Sequence, residues 1–181
     1  MIDETKMMHG NDYAGEDVTG WLMSEKLNGC RGYWDGATMW SRGGNIINIP
    51  SAVRDALPTG CHLDGEIHAG CGGFEKARRA VQYNQWVDGV EFSVFDAPQC
   101  GGLFEFRYDC LVELLPECGA VNFVRHIECE GTSDALLFMG DVQVLGGEGV
   151  VLRDPFNIYK AGRTGKILKL KENPGCMLGG V

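Results

Sequence analysis

Lys26, Leu27, Asn28, Gly29, Cys30 and Arg31 place a primary amine, a turn-permitting glycine and a guanidinium within six residues. An amine attacks only after shedding its proton, which burial or neighbouring positive charge favours. Gly29 lets the chain turn tightly just after the lysine, and Arg31 returns a cation to the same neighbourhood. Alone, this segment reads more simply as a surface lysine ahead of a β-turn. Four later stretches supply what Lys26 would need as a nucleophile: Leu63-Asp64-Gly65-Glu66, Phe92-Ser93-Val94-Phe95-Asp96, Gly147-Glu148-Gly149-Val150-Val151 and Ile167-Leu168-Lys169-Leu170-Lys171.

In a strand, side chains two apart share a face. Asp64 and Glu66 are therefore expected to point together, as are Lys169 and Lys171, with Leu168 and Leu170 turned to a core. A triphosphate handled with a divalent metal needs such a set: carboxylates for the metal and a ribose, lysines for phosphate. Glu148, between two glycines, adds a third carboxylate, although alone it would read as an exposed strand-end acid. Phe95 offers a ring for stacking on a base; unaided, it reads as a core residue.

The elements needed to position these groups can be read from turn signals and alternation. Gly32-Tyr33-Trp34 and Ala37-Thr38-Met39-Trp40 flank Asp35-Gly36, a two-residue hairpin signal. Further strands are expected at 20–26, 61–68, 90–97, 148–153 and 166–171. Helices are expected at 50–57, opening on a proline, and at 73–83, 107–115 and 133–145, the last with Ser133 as N-cap. Strands interrupted by isolated helices indicate an α+β domain built on antiparallel sheet rather than regular βαβ winding.

The chain has 181 residues, enough for one sizeable domain that needs no disulfide or metal to fold. Its hydrophobic share of 44% and charged share of 23% indicate a globular chain. No apolar run reaches the ~20 residues that span a bilayer, and the acidic N-terminal stretch lacks a signal-peptide layout, so a cytoplasmic protein is expected. None of the eight cysteines forms a C-x-x-C pair; free thiols are expected rather than zinc or disulfides. A net charge of −9 argues against a surface that binds nucleic acid throughout. Two local basic stretches, Lys160 to Lys171 and Lys76, Arg78 and Arg79, remain compatible with a phosphate-binding groove.

In this order the motifs resemble the covalent nucleotidyltransferases, the superfamily of DNA ligases, RNA ligases and capping enzymes. Residues 24–36, Trp40-Ser41-Arg42-Gly43-Gly44-Asn45 and residues 146–153 are similar to the minimal, E-type ATP-dependent DNA ligases of bacteria and phage. Tyr159-Lys160-x-Gly162-Arg163 and Leu168-Lys169-Leu170-Lys171 continue the similarity, which covers residues 20–180. The resemblance implies an ATP-grasp-like nucleotidyltransferase (adenylation) domain of antiparallel β-sheets flanked by helices. It assigns Lys26 as the residue that forms lysyl-AMP. Glu25, Arg31, Arg42, Glu66, Phe95, Lys169 and Lys171 would bind ATP or AMP, and Glu66 and Glu148 would hold Mg²⁺, with Mn²⁺ as a substitute. Lys26 would attack the α-phosphorus of ATP, AMP would pass to the 5′-phosphate of a nick in duplex DNA, and the 3′-hydroxyl would displace it. A monomer with no membrane attachment is expected.

Two features depart from the family pattern. Asn28 stands where the family usually has aspartate, which removes a negative charge beside the nucleophile. Residues 1–175 form the nucleotidyltransferase domain and 176–181 resemble the start of an OB-fold that is missing, so that an OB-fold supplied in trans is one expectation. The resemblance leaves two alternatives: an RNA ligase or capping-type guanylyltransferase, which share the core pocket, and an inactive nucleotide- or nick-binding module.

Overall fold

The computed structural model describes residues 6–115 and 119–171. The start of an OB-fold expected at 176–181 and the break expected at residues 173–175 lie outside them. Eleven strands and four helices are described, and the strands fall into two sheets.

The first sheet has the order β1-β11-β10-β2-β9: β1 (Met8–Asp12), β11 (Gly162–Lys171), β10 (Gly149–Arg153), β2 (Trp21–Glu25) and β9 (Ile127–Cys129). Its inner face supplies Met23, Val150, Leu152, Leu168 and Leu170 to a core closed by α4 (Thr132–Val144) through Ala135, Met139 and Val142. The second sheet has the order β5-β4-β3-β6-β7-β8, with β3 (Gly29–Trp34), β4 (Met39–Ser41), β5 (Ile46–Ile47), β6 (Leu63–His68), β7 (Glu91–Asp96) and β8 (Val121–Phe123). Leu63, Ile67, Phe92 and Val94 pack there against Val53 of α1 (Ser51–Ala56), Ala80 of α2 (Phe74–Tyr83) and Leu111 of α3 (Phe104–Leu114). Each sheet thus buries one face under helices. The period-2 alternation sends the intervening residues to the opposite face, where several of them line the site.

The α+β class and the strands and helices expected from the sequence are present, with several corrections. The sheets are mixed: β1 runs parallel to β11, and β8 parallel to β7. Neither β1 nor the short β5, β8 and β9 has an alternation that marks it; their partners' open edges recruit them through backbone hydrogen bonds. The expected two-residue hairpin is wider, because Trp34 pairs with Met39. Asp35 holds the loop by accepting from the backbone N–H groups of Ala37 and Thr38 and from Trp40 Nε1. Gly131, not Ser133, caps α4, and α3 begins earlier than expected because Phe104 anchors its first turn in full burial. Finally, Cys100 and Cys110 form a disulfide, whereas free thiols were expected: α3 brings Cys110 over the short 3-10 turn that carries Cys100.

Candidate active site

A cavity of about 510 Å³ lies between the two sheets. Lys26 enters it from the link between β2 and β3 and is anchored by donating its backbone N–H to the Gly149 carbonyl at 2.8 Å. Its Nζ lies 2.6 Å from Glu148 Oε2, with the two side chains 18% and 32% exposed. Glu148 reaches Lys26 because the chain bends at Gly149, whose φ is 154°. A Cβ at Gly149 would fall 2.3 Å from the Leu170 carbonyl oxygen, so only glycine fits. Gly29 has a similar constraint on the other side of Lys26: a Cβ there would lie 2.2 Å from the Ile67 carbonyl oxygen. Close approach to β6, rather than a special turn angle, explains this glycine.

The alternation of β11 places Lys169 and Lys171 on the cavity wall opposite buried Leu168 and Leu170. Burial, reinforced by Lys171, lowers the pKa of Lys169. Glu66 also lines the cavity. Burial pushes its carboxyl up to about 7, against the opposing pull of Arg31 and Lys26. Phe95 enters from β7, while Val151 and Ile167 enter from the first sheet, which gives the cavity apolar surface from both sheets. Glu25, Arg31 and Arg42 complete the residues expected from the sequence, Arg42 being exposed near the turn after β4.

Asp64 departs from expectation. It shares a face with Glu66, yet it is fully buried and does not line the cavity. Arg31 donates to both of its oxygens at 2.6 Å, and the Tyr159 hydroxyl donates to Oδ2 at 2.6 Å. Asp64 is therefore a buried counter-ion rather than a metal or ribose ligand. Arg31 is bound on one edge of its fork by Asp64 and donates also to the Met8 carbonyl at 2.9 Å, which ties β3 to β1 across the two sheets. In the second basic stretch, Arg78 is occupied by Glu75 and Gln82 on the surface of α2. Lys166 pairs with Asp154 at 2.7 Å and is 60% exposed.

Sequence reasoning missed several wall residues: His9, Ser24, Phe74, Val124, Val151, Arg153 and Ile167. Val151 and Arg153 were legible in principle, since they alternate with the core residues Val150 and Leu152. No local signal marks His9, Phe74 or Val124. Among the described residues, no cluster of three or more His, Cys, Asp or Glu is placed to hold a metal, and no helix is long and apolar enough to cross a membrane.

No family model matches the chain. A DNA ligase of Haemophilus influenzae is 32% identical over 169 residues, 90% of this chain and 62% of that ligase. A solved structure from a study of Lig E DNA ligases as minimal DNA-binding scaffolds superimposes with a TM-score of 0.83 at 26% identity, covering 95% of this chain and 70% of the other. The Chlorella virus DNA ligase-adenylate gives 0.74 at 24% identity over 92% of this chain and 67% of the viral one. The ATP-dependent DNA ligase of bacteriophage T7, in complex with ATP, gives 0.70 at 14% identity over 92% and 68%. The viral and phage structures attest to the fold alone. Two mixed sheets flanked by a few helices, with a lysine-bearing cavity between them, match the fold of DNA ligase nucleotidyltransferase domains. Within that class, its sequence and fold are similar to those of DNA ligases. It spans about 62% of the length of the Haemophilus ligase.

Proposed function

We propose that this chain carries out the adenylating steps of an ATP-dependent DNA ligase that seals 5′-phosphate/3′-hydroxyl nicks. The observation that carries the reading is the shared cavity: Lys26, Lys169, Lys171, Arg42, Glu66 and Phe95 line one space between the sheets, with Glu148 in contact with Lys26. Phe95, lining the same cavity as Val151 and Ile167 of the other sheet, fits an adenine ring. Lys169, Lys171 and Arg42 fit the phosphates, and Glu66 and Glu25 the ribose and base edge. Lys26, once deprotonated, attacks the α-phosphorus; the P–N bond forms as the bond to pyrophosphate breaks. The AMP then passes to the 5′-phosphate of a nick and is displaced by the 3′-hydroxyl. Each step is an in-line displacement, in which fixed cations stabilise the charge developing on phosphate oxygens.

Glu66 and Glu148 would hold Mg²⁺ or Mn²⁺. Two carboxylates fit a hard cation that takes its remaining ligands from water and substrate phosphate. When bound, such an ion offsets phosphate charge and favours the ionised form of Glu66. The substrate is duplex DNA with a nick, and an OB-fold clamp would be supplied by another segment or in trans. The domain acts as a monomer in the cytoplasm.

The test is incubation with α-labelled ATP and Mg²⁺, with GTP and NAD⁺ in parallel, followed by denaturation. Label from ATP that is lost in Lys26→Ala is the expected result. Label that survives Lys26→Ala refutes the nucleophile, and label from GTP in preference to ATP refutes the adenylating assignment.

A further inference from the structure

One residue interrupts the ladder between β6 and β7. Asp64 pairs with Asp96 and Gly65 with Val94, so Phe95 is the extra residue of a bulge. A bulge bends its strand and re-aims a side chain: alternation already sets Phe95 on the face opposite the core residues Phe92 and Val94, where it lines the cavity, and the extra residue brings Asp96 onto the face of Asp64. The same register sets Asp64 and Asp96, both fully buried, opposite each other. Two bare carboxylates so placed would repel strongly in a low-dielectric interior.

Guanidinium groups neutralise both. Asp96 accepts from Arg107 Nε at 2.7 Å and Nη2 at 3.0 Å, and from Arg153 Nη1 at 2.6 Å. Arg107 also donates to the Gly102 and Asn157 carbonyls, fixing Asp96 to α3 and the segment after β10. Arg31 occupies Asp64. Two of these cations then meet the Phe95 ring: the Arg31 guanidinium carbon lies 4.9 Å from its centroid and that of Arg153 lies 5.3 Å away. Arg153 lies in the cavity wall, and its buried Nε has no hydrogen-bond partner among the described residues.

Apolar side chains of similar volume would fill this space at no greater cost than buried ions. What a carboxylate with forked guanidinium bonds adds is fixed direction. We propose that Asp96, acting through Arg153, is a positioning residue that holds the Phe95 ring at the bulge and thereby sets the preference for the nucleobase. The inference rests on the reading of the cavity as a nucleotide site with Phe95 against the base.

The experiment compares binding of ATP and of ribose 5-triphosphate, which lacks the base, by calorimetry on the 181-residue chain. Asp96→Asn is expected to weaken ATP about tenfold, the scale of one aromatic contact, and to leave ribose triphosphate unchanged. Equal weakening of both ligands would reduce Asp96 to a structural role, and wild-type affinity for both would remove it from the site; either overturns the proposal. If Asp96→Asn does not fold, Arg153→Lys decides: it keeps the charge but loses the planar group set against the Phe95 ring, and must show the same selective loss. A wild-type chain that binds ATP no better than ribose triphosphate, or binds neither, refutes instead the nucleotide-site reading.

Discussion

Glu66 offers the most quantitative check on the site, because its carboxyl is held at about 7 against an ordinary value of 4.5. Burial raises it, and the neighbouring Arg31 and Lys26 only partly compensate. Between those two pH values the folded chain keeps a proton that the unfolded chain has lost. Stability therefore falls as pH rises through this window, the reverse of an ion-paired carboxylate. At 1.36 kcal/mol per pH unit, the full displacement is worth about 3 kcal/mol. Glu66→Gln is neutral at every pH and escapes the penalty. Urea unfolding of both proteins should give similar stabilities near pH 4.5, with the glutamine variant ahead by about 3 kcal/mol above pH 7. A gap between the two curves that stays constant from pH 5 to 8 would refute the assignment of a proton to Glu66. Lysyl-AMP formation by the wild type should rise with pH through about 7, because ionised Glu66 is the form that would bind metal and ribose.

Two further substitutions test the frame around Lys26. Gly29→Ala must push β3 away from the Ile67 carbonyl, so it should cost about 1–3 kcal/mol in urea unfolding and depress lysyl-AMP formation; wild-type stability would show that β6 yields freely. Asn28→Asp, at an exposed position beside Lys26, should raise the rate of lysyl-AMP formation if the charge missing there limits it. An unchanged or lower rate in single-turnover assays with labelled ATP would dismiss that account.

Much of the site was legible because strand alternation is a local rule. Leu168 and Leu170 with Lys169 and Lys171 announce their two faces, and Glu66 between Gly65 and Ile67 does the same. The motif order then pointed to the family, and a start signal such as Pro50 marked a helix close to where it forms. Asp64 shows where local reasoning stops: it shares a face with Glu66, but Arg31 and Tyr159 arrive from distant parts of the chain and bury it.

The sequence by itself indicated the longer strands, Lys26 as the candidate nucleophile and the residue types around it, since each depends on spacing within a few positions. Only the tertiary structure decided which carboxylates reach the cavity and which serve as counter-ions. It also decided that β1 joins β11, that Cys100 meets Cys110, and that a bulge at Phe95 sets Asp96 opposite Asp64. The physical reason is common to all of these: desolvation, charge pairing and strand register depend on atoms from residues far apart in the chain, and no local pattern records which of them will meet.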